Sequence, residues 1–215
     1  MTIYSEHPIT RTSFGLIDQE VGSHHFTAAE YAVVRRVVHT TADFDFMQLM
    51  RFSGQPFSAA MRAFQKAQPI ITDVSMVAAG IGTVAAKTWQ SPVVVAVQQA
   101  AGSSPAQTPS VSTLPVKTRS ADGMRVCARA YPEAIFAVGN APTALLALCE
   151  GIANSDWRPA LVIGAPVGFV NVVESKQALA ELAVPHILVT GRKGGSAVAA
   201  AILNALMIWA WEQSL

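Results

Sequence analysis

An α/β fold, one layered domain with a mostly parallel sheet of about five strands and helices on both faces, follows from three features of this chain. Five short runs are dominated by apolar and β-branched residues: "PIITDV" (69–74), "PVVVAV" (92–97), "AIFAVG" (134–139), "ALVIG" (160–164) and "HILVT" (186–190). Helical segments separate them, and strands that are apolar without alternation are those covered on both faces of a parallel sheet. A chain of 215 residues, 51% hydrophobic and 13% charged, can bury one sizeable core, and no linker divides it. The domain is therefore expected to span 1–215, with a helical part over 1–68 and an α/β part over 69–215.

Each element has its local reason. "TAAE" (27–30) is a capping box, and Tyr31, Val34 and Val38 follow at helical spacing, which predicts a helix over 28–39. A second helix starting near Asp43 would bury Phe46, Leu49 and Met50; a third covers "SAAMRAFQKAQ" and closes before Pro69. Beyond residue 69, strands and helices alternate to the C-terminus. The stretch 98–117, rich in Ser, Pro and Gln, reads as a flap or mobile loop. The most apolar segment, "AVAAAILNALMIWAW" (197–211), predicts the longest helix; it is shorter than the roughly 20 residues that cross a bilayer and contains Asn204.

Composition narrows the partners. A net charge of +1 without a dense Lys/Arg run offers no field to nucleic acid or anionic lipid, so a small molecule is expected. Cys127 and Cys149 lack CxxC spacing and read as buried apolar groups. The first residues hold no apolar signal-peptide core, which predicts a cytoplasmic protein.

In doubly wound sheets ligands bind beyond the carboxyl ends of the strands. Three junctions there draw attention. Asn140 is placed to cap a helix with Pro142 in its first turn; "GAPVGFVNVVESK" forms a Gly/Pro-shaped loop; and "TGRKGGS" sets Arg192, Lys193 and a Ser196 cap before the longest helix. A basic, glycine-rich helix start can cradle an anion, phosphate or carboxylate alike. Neither GxGxxG nor GxxxxGK[ST] is present, so a nucleotide cofactor has little support. In "RRVVHTTAD" (35–43), His39 ends a helix. Arg35 disfavours its charged form, while Asp43 and the helix C-terminus favour it, leaving a structural histidine and a proton donor both open. No HExxH or GxSxG appears, and no metal is expected.

Seven stretches, "RTSFGLI", "RRVVHTTAD", "PIITDVSMVAAGI", "TRSADGM", "VGNAPTALLALCEG", "ALVIGAPVGFVNVVESKQAL" and "GRKGGSAVAAAILNAL", together resemble the precorrin-8X methylmutase family of cobalamin biosynthesis, in the family's order and over nearly the whole chain. The resemblance implies a homodimeric α/β isomerase that needs no cofactor. It would move a methyl group from carbon eleven to carbon twelve of precorrin-8X, giving hydrogenobyrinate, or of cobalt-precorrin-8, giving cobyrinate. It implies that His39 protonates or hydrogen-bonds a pyrrole-ring nitrogen, and that Ser13 and Arg119 contact the substrate. Without the resemblance, Ser13 can equally cap a helix starting at Phe14, and Arg119 can pair with Asp122. Corrinoid precursors carry acetate and propionate arms around a flat ring, so Asn140, Arg192 and Ser196, with Lys193, become candidate carboxylate anchors. A non-catalytic corrinoid-binding protein is the alternative.

Overall fold

The computed structural model describes residues 4–100 and 118–215. Helices α1 (Pro8–Val21), α2 (Ala28–Thr41) and α3 (Phe46–Leu49) lead into β1 (Met50–Phe52), α4 (Pro56–Gln65), β2 (Ile70–Thr72), α5 (Ser75–Lys87) and β3 (Val93–Val95). Then follow α6 (Arg119–Ala130), β4 (Ile135–Val138), α7 (Pro142–Asn154), β5 (Leu161–Gly164), α8 (Val172–Ala180), β6 (His186–Val189) and α9 (Ser196–Glu212). Most of the stretch expected to form a flap, residues 101–117, lies outside the described residues.

Among the described residues six strands lie in the order β1-β6-β5-β4-β2-β3. The five expected strands are β2 to β6, all parallel to one another. The sixth corrects the expectation of a helix running through Met50. The chain leaves α3 after Leu49, and Met50–Phe52 pairs antiparallel with β6, Met50 opposite Val189. Three residues carry no readable period, and the reason for the strand is tertiary: the outer edge of β6 needs a partner for its backbone groups. The first 68 residues are thus not purely helical.

The capping box is a local signal that holds. Thr27 Oγ1 accepts from Glu30 N at 3.3 Å while Glu30 Oε2 accepts from Thr27 N at 2.9 Å, the reciprocal capping box at the start of α2. Side chains along the sheet alternate between two cores. Ile135, Ala137, Leu161 and Ile163 face α2, α5 and α9, whereas Phe136, Val138 and Val162 face α6, α7 and α8. Cys127 and Cys149 are both buried free thiols, pushed up to about 11 and about 12 by burial.

Helix α9 is buried around most of its circumference. Its close approach to α5 requires Gly80, since an added Cβ there would lie 2.7 Å from Ala200 Cβ. Asn204 Nδ2 donates to Gly80 O at 2.9 Å, which accounts for the polar residue inside this apolar helix. The strand order reverses direction between β2 and β4, so the switch point of this doubly wound sheet lies at the carboxyl ends of those two strands.

On the opposite layer, α6 lies against the 3-10 turn Ala96–Gln98, and a Cβ on Gly123 would fall 1.9 Å from Ala96 O. Alanine gains about 1 kcal/mol of helix propensity over glycine, but here it meets backbone that cannot rotate away. Gly123→Ala is expected to lose about 2 kcal/mol net by urea unfolding; an unchanged or raised midpoint would show that α6 can shift freely.

Candidate active site

Helix α1 lies along α2, held by ion pairs between Arg35 and Asp18 at 2.8 Å and between Arg36 and Glu6. This packing brings Ser13 to the last turn of α2, where its Oγ sits 2.8 Å from His39 Nδ1. Ser13 does not cap a helix starting at Phe14: α1 starts six residues earlier, at Pro8, capped by His7, whose Nδ1 accepts from Ile9 N. A hydroxyl in mid-helix is free to face a neighbouring element, and this one faces the imidazole. Phe14 packs edge-on against the same ring, with centroids 5.3 Å apart. His39 itself is exposed, and among the described residues its Nε2 has no hydrogen-bond partner. It therefore plugs no core.

The two charges expected to tune His39 are engaged elsewhere. Arg35 binds Asp18 and lies 4.4 Å above the Phe14 ring, because Asp18 on α1 is the nearer acid. Tyr31 shares that carboxylate at 2.7 Å and is pushed up to about 12 by burial first and by Asp18 second. Asp43 is taken by Lys193, whose Nζ reaches both Asp43 and Asp45 at 2.6 Å and holds the Asp43 carboxyl below its ordinary range. That bridge, with Thr190 N donating to Leu49 O at 2.9 Å, ties the end of α2 to the loop after β6. His39 consequently stands at the carboxyl edge of the sheet.

Asp73, at the end of β2, organises the switch point and was not singled out by sequence. It is fully buried; Oδ1 accepts from Gly139 N at 3.1 Å, and Oδ2 accepts from Asn140 N at 2.7 Å and Ala141 N at 2.8 Å. Burial pushes its pKa up, and the backbone amides of Gly139, Ala141, Asn140 and Val74 oppose that. Asn140 therefore does not cap α7: the cap position is Ala141 without a side-chain bond, the amides belong to Asp73, and the Asn140 side chain is exposed. The only sequence signal was an acid directly after a short apolar strand.

Ser196 likewise is no cap. It is the first residue of α9, buried, behind Gly195, and the helix start has no side-chain cap. A Cβ on Gly139 would lie 2.8 Å from Ser196 Cα, so Ser196 and the Asn140 segment are neighbours. Arg119 opens α6 after Thr118, whose Oγ1 accepts from Ala121 N at 3.1 Å and lies 2.8 Å from Thr143 Oγ1 in the first turn of α7. This places Arg119 on the same edge. Its expected pairing with Asp122 is absent, since Asp122 contacts Arg125 at 3.4 Å. Arg192 is exposed, its guanidinium 5.7 Å over the ring of Phe169. Direct contact thus joins Ser13 with His39. Arg119 and Arg192 stand at separate helix starts on the same side of the sheet. Among the described residues no cluster of three His, Cys, Asp or Glu could hold a metal ion.

The profile of the precorrin-8X methylmutase family matches residues 8–209. This chain belongs to that family. The methylmutase is 43% identical over 222 residues to the cobalt-precorrin-8 methylmutase of Synechocystis, covering 97% of this chain and 98% of that protein. It is 35% identical over 200 residues to the precorrin-8X methylmutase of Sinorhizobium, covering 92% of each. The crystal structure of a precorrin-8X methylmutase from Thermus thermophilus superposes with a TM-score of 0.83 at 39% identity, over 97% of this chain and all of that one. The protein is an isomerase of cobalamin biosynthesis that transfers a methyl group within its substrate. Among its described residues no helix is long and apolar enough to cross a membrane.

In this methylmutase, replacing Asp73 by alanine strands two buried amides and one part-buried one, a buried unsatisfied group costing about 1–3 kcal/mol. Asp73→Ala is expected to lose at least about 3 kcal/mol in urea, and Asp73→Asn to lose less. An unfolding midpoint equal to wild type in the alanine variant would contradict this organising role.

Proposed function

We propose that the methylmutase acts in the cytoplasm, as a homodimer, on precorrin-8X or cobalt-precorrin-8, moving the methyl group from carbon eleven to carbon twelve. The observation that carries this reading is the Ser13–His39 pair, an exposed imidazole held by a hydroxyl through Nδ1 with Nε2 open at the carboxyl edge of the sheet.

The chemistry needs little more than such a group. In a sigmatropic shift the bond from carbon eleven to the methyl breaks as the bond to carbon twelve forms, double bonds move through the ring, and no atom enters or leaves. His39 lowers the barrier by donating a proton or hydrogen bond from Nε2 to a pyrrole-ring nitrogen, drawing electron density through the conjugated system, and takes the proton back afterwards. The Ser13 hydroxyl suits either mode: it donates to Nδ1 when the neutral ring offers Nε2–H as a hydrogen bond, and it accepts from Nδ1–H before and after the charged ring gives up its Nε2 proton, so the imidazole keeps its orientation. General acid help of this kind contributes about two to four orders of magnitude; holding the macrocycle in register supplies the remainder.

The edge suits a flat, acid-fringed ligand. Met76, Val167, Phe169 and Val170 are exposed apolar side chains there, beyond what a solvated surface needs, and can lie against the ring. Arg119 and Arg192 are guanidiniums without a carboxylate partner among the described residues, each able to grip a propionate bidentately. Asn140 and Ser196 supply polar contacts between them. Ile9 and Leu16, exposed on the Ser13 face of α1 at helical spacing, support coverage of that face by a second copy.

Incubation with each substrate, followed by absorption spectroscopy, tests the reading. His39→Ala is expected to lower kcat by a factor of about 10² to 10⁴ while product still binds, and Ser13→Ala to lower it by roughly tenfold. Wild-type turnover by the alanine variant would remove the proposed proton role. Sedimentation equilibrium should give a mass twice that of one chain.

A further inference from the structure

Helix α8 carries a lysine where its apolar face should continue. Lys176 follows Val172 by four residues and precedes Leu179 by three, and it is only 2% exposed. Among the described residues no carboxylate pairs with it. Its Nζ instead donates to Gly191 O at 2.7 Å and Lys193 O at 2.8 Å. Burial pulls it from an ordinary 10.5 down to about 8. A desolvated ammonium without a counter-ion is costly to fold around, and a methionine of similar length would fill the same space without that cost.

What the buried amine holds is specific. The carbonyl between its two partners, Arg192 O, accepts from Gly168 N at 3.3 Å. Three consecutive carbonyls, 191 to 193, are therefore turned inward and bonded. The flanks are equally constrained: Gly191 lies at φ 71° and Gly194 at φ 153°, and a Cβ on Gly194 would fall 2.3 Å from Ala165 O. Gly195 N donates to Ala165 O at 2.8 Å. The side chain at the apex of this clamp is Arg192, facing out over Phe169, which is 85% exposed. The adjacent Lys193 is drawn away to Asp43 and Asp45, leaving Arg192 as the cation of this loop free to meet a ligand.

We propose that Lys176 is a positioning residue for substrate binding: it fixes the backbone on both sides of Arg192 so that the guanidinium is preorganised for a carboxylate arm of the corrinoid. The proposal rests on the reading of Arg192 as a substrate anchor. Lys176 never touches the ligand; it acts by removing the freedom that Arg192 would otherwise lose on binding.

The test is a double-mutant cycle in the full-length enzyme, with hydrogenobyrinate titrated by absorption and steady-state kinetics on precorrin-8X. Arg192→Met and Lys176→Met should each raise Kd and KM, by about tenfold for the lysine variant, with the loss in KM rather than kcat, and the double variant should bind no more weakly than Arg192→Met alone. Lys176→Gln, whose side chain is one bond too short to bridge both carbonyls, provides the same readout if the methionine variant does not fold. If Arg192→Met weakens binding and neither lysine variant does, the positioning role is wrong while the anchor stands. If Arg192→Met binds as wild type, the anchor reading fails and this proposal with it. Losses that add in the double variant would show Lys176 acting somewhere other than through Arg192, which also overturns it.

Discussion

Helix α9 is apolar on nearly its whole circumference, and such a helix is stable only when other elements cover it on all sides. The sheet covers one side; α2, α4 and α5 cover the rest, down to the methyl-to-glycine contact between Ala200 and Gly80. This demand decides where α2 lies. With α2 laid along α9, its last turn reaches the carboxyl edge of the strands, and the Lys193 bridge to Asp43 and Asp45 holds it against the loop that starts α9. The position of His39 is thus a consequence of burying a greasy helix, and α1, tied to α2 by the Arg35–Asp18 ion pair and, just before its start, by Arg36 with Glu6, adds Ser13.

The same edge shows how this fold handles the free polar groups of helix starts. A doubly wound sheet ordinarily leaves helix N-termini open to an anion at the switch point. Here Asp73 occupies that position from within: its carboxylate accepts from the Gly139, Asn140 and Ala141 amides of the turn that leads into α7, while its backbone N–H and C=O join the ends of β4 and the turn after β3. Lys193 is neutralised as well. The guanidiniums of Arg119 and Arg192 and the apolar rim remain exposed on this edge.

Much was legible locally. The five core strands, the capping box of α2, the buried cysteines and the long apolar helix each follow from patterns within about fifteen residues, where propensity and periodicity act. His39 and Ser13 stood out only through the family motifs; nothing in their own neighbourhoods distinguished a proton donor from an inert histidine, or a helix cap from a mid-helix hydroxyl. Where local reasoning assigned partners by proximity along the chain, it erred. Arg35, Asp43, Asn140 and Arg119 all find, or forgo, partners according to what is packed beside them.

By itself, then, the amino-acid sequence determined the layered α/β class, which segments are covered on both faces, and the family whose chemistry the chain carries, because apolar periodicity and ordered motifs survive in one dimension. The tertiary structure alone decided the antiparallel β1, the hold of Asp73 on the turn before α7 and the buried amine of Lys176 under the Arg192 loop. Each depends on backbone groups brought together from residues 15 to about 140 positions apart, and a hydrogen bond across that distance leaves no spacing in the chain from which to read it.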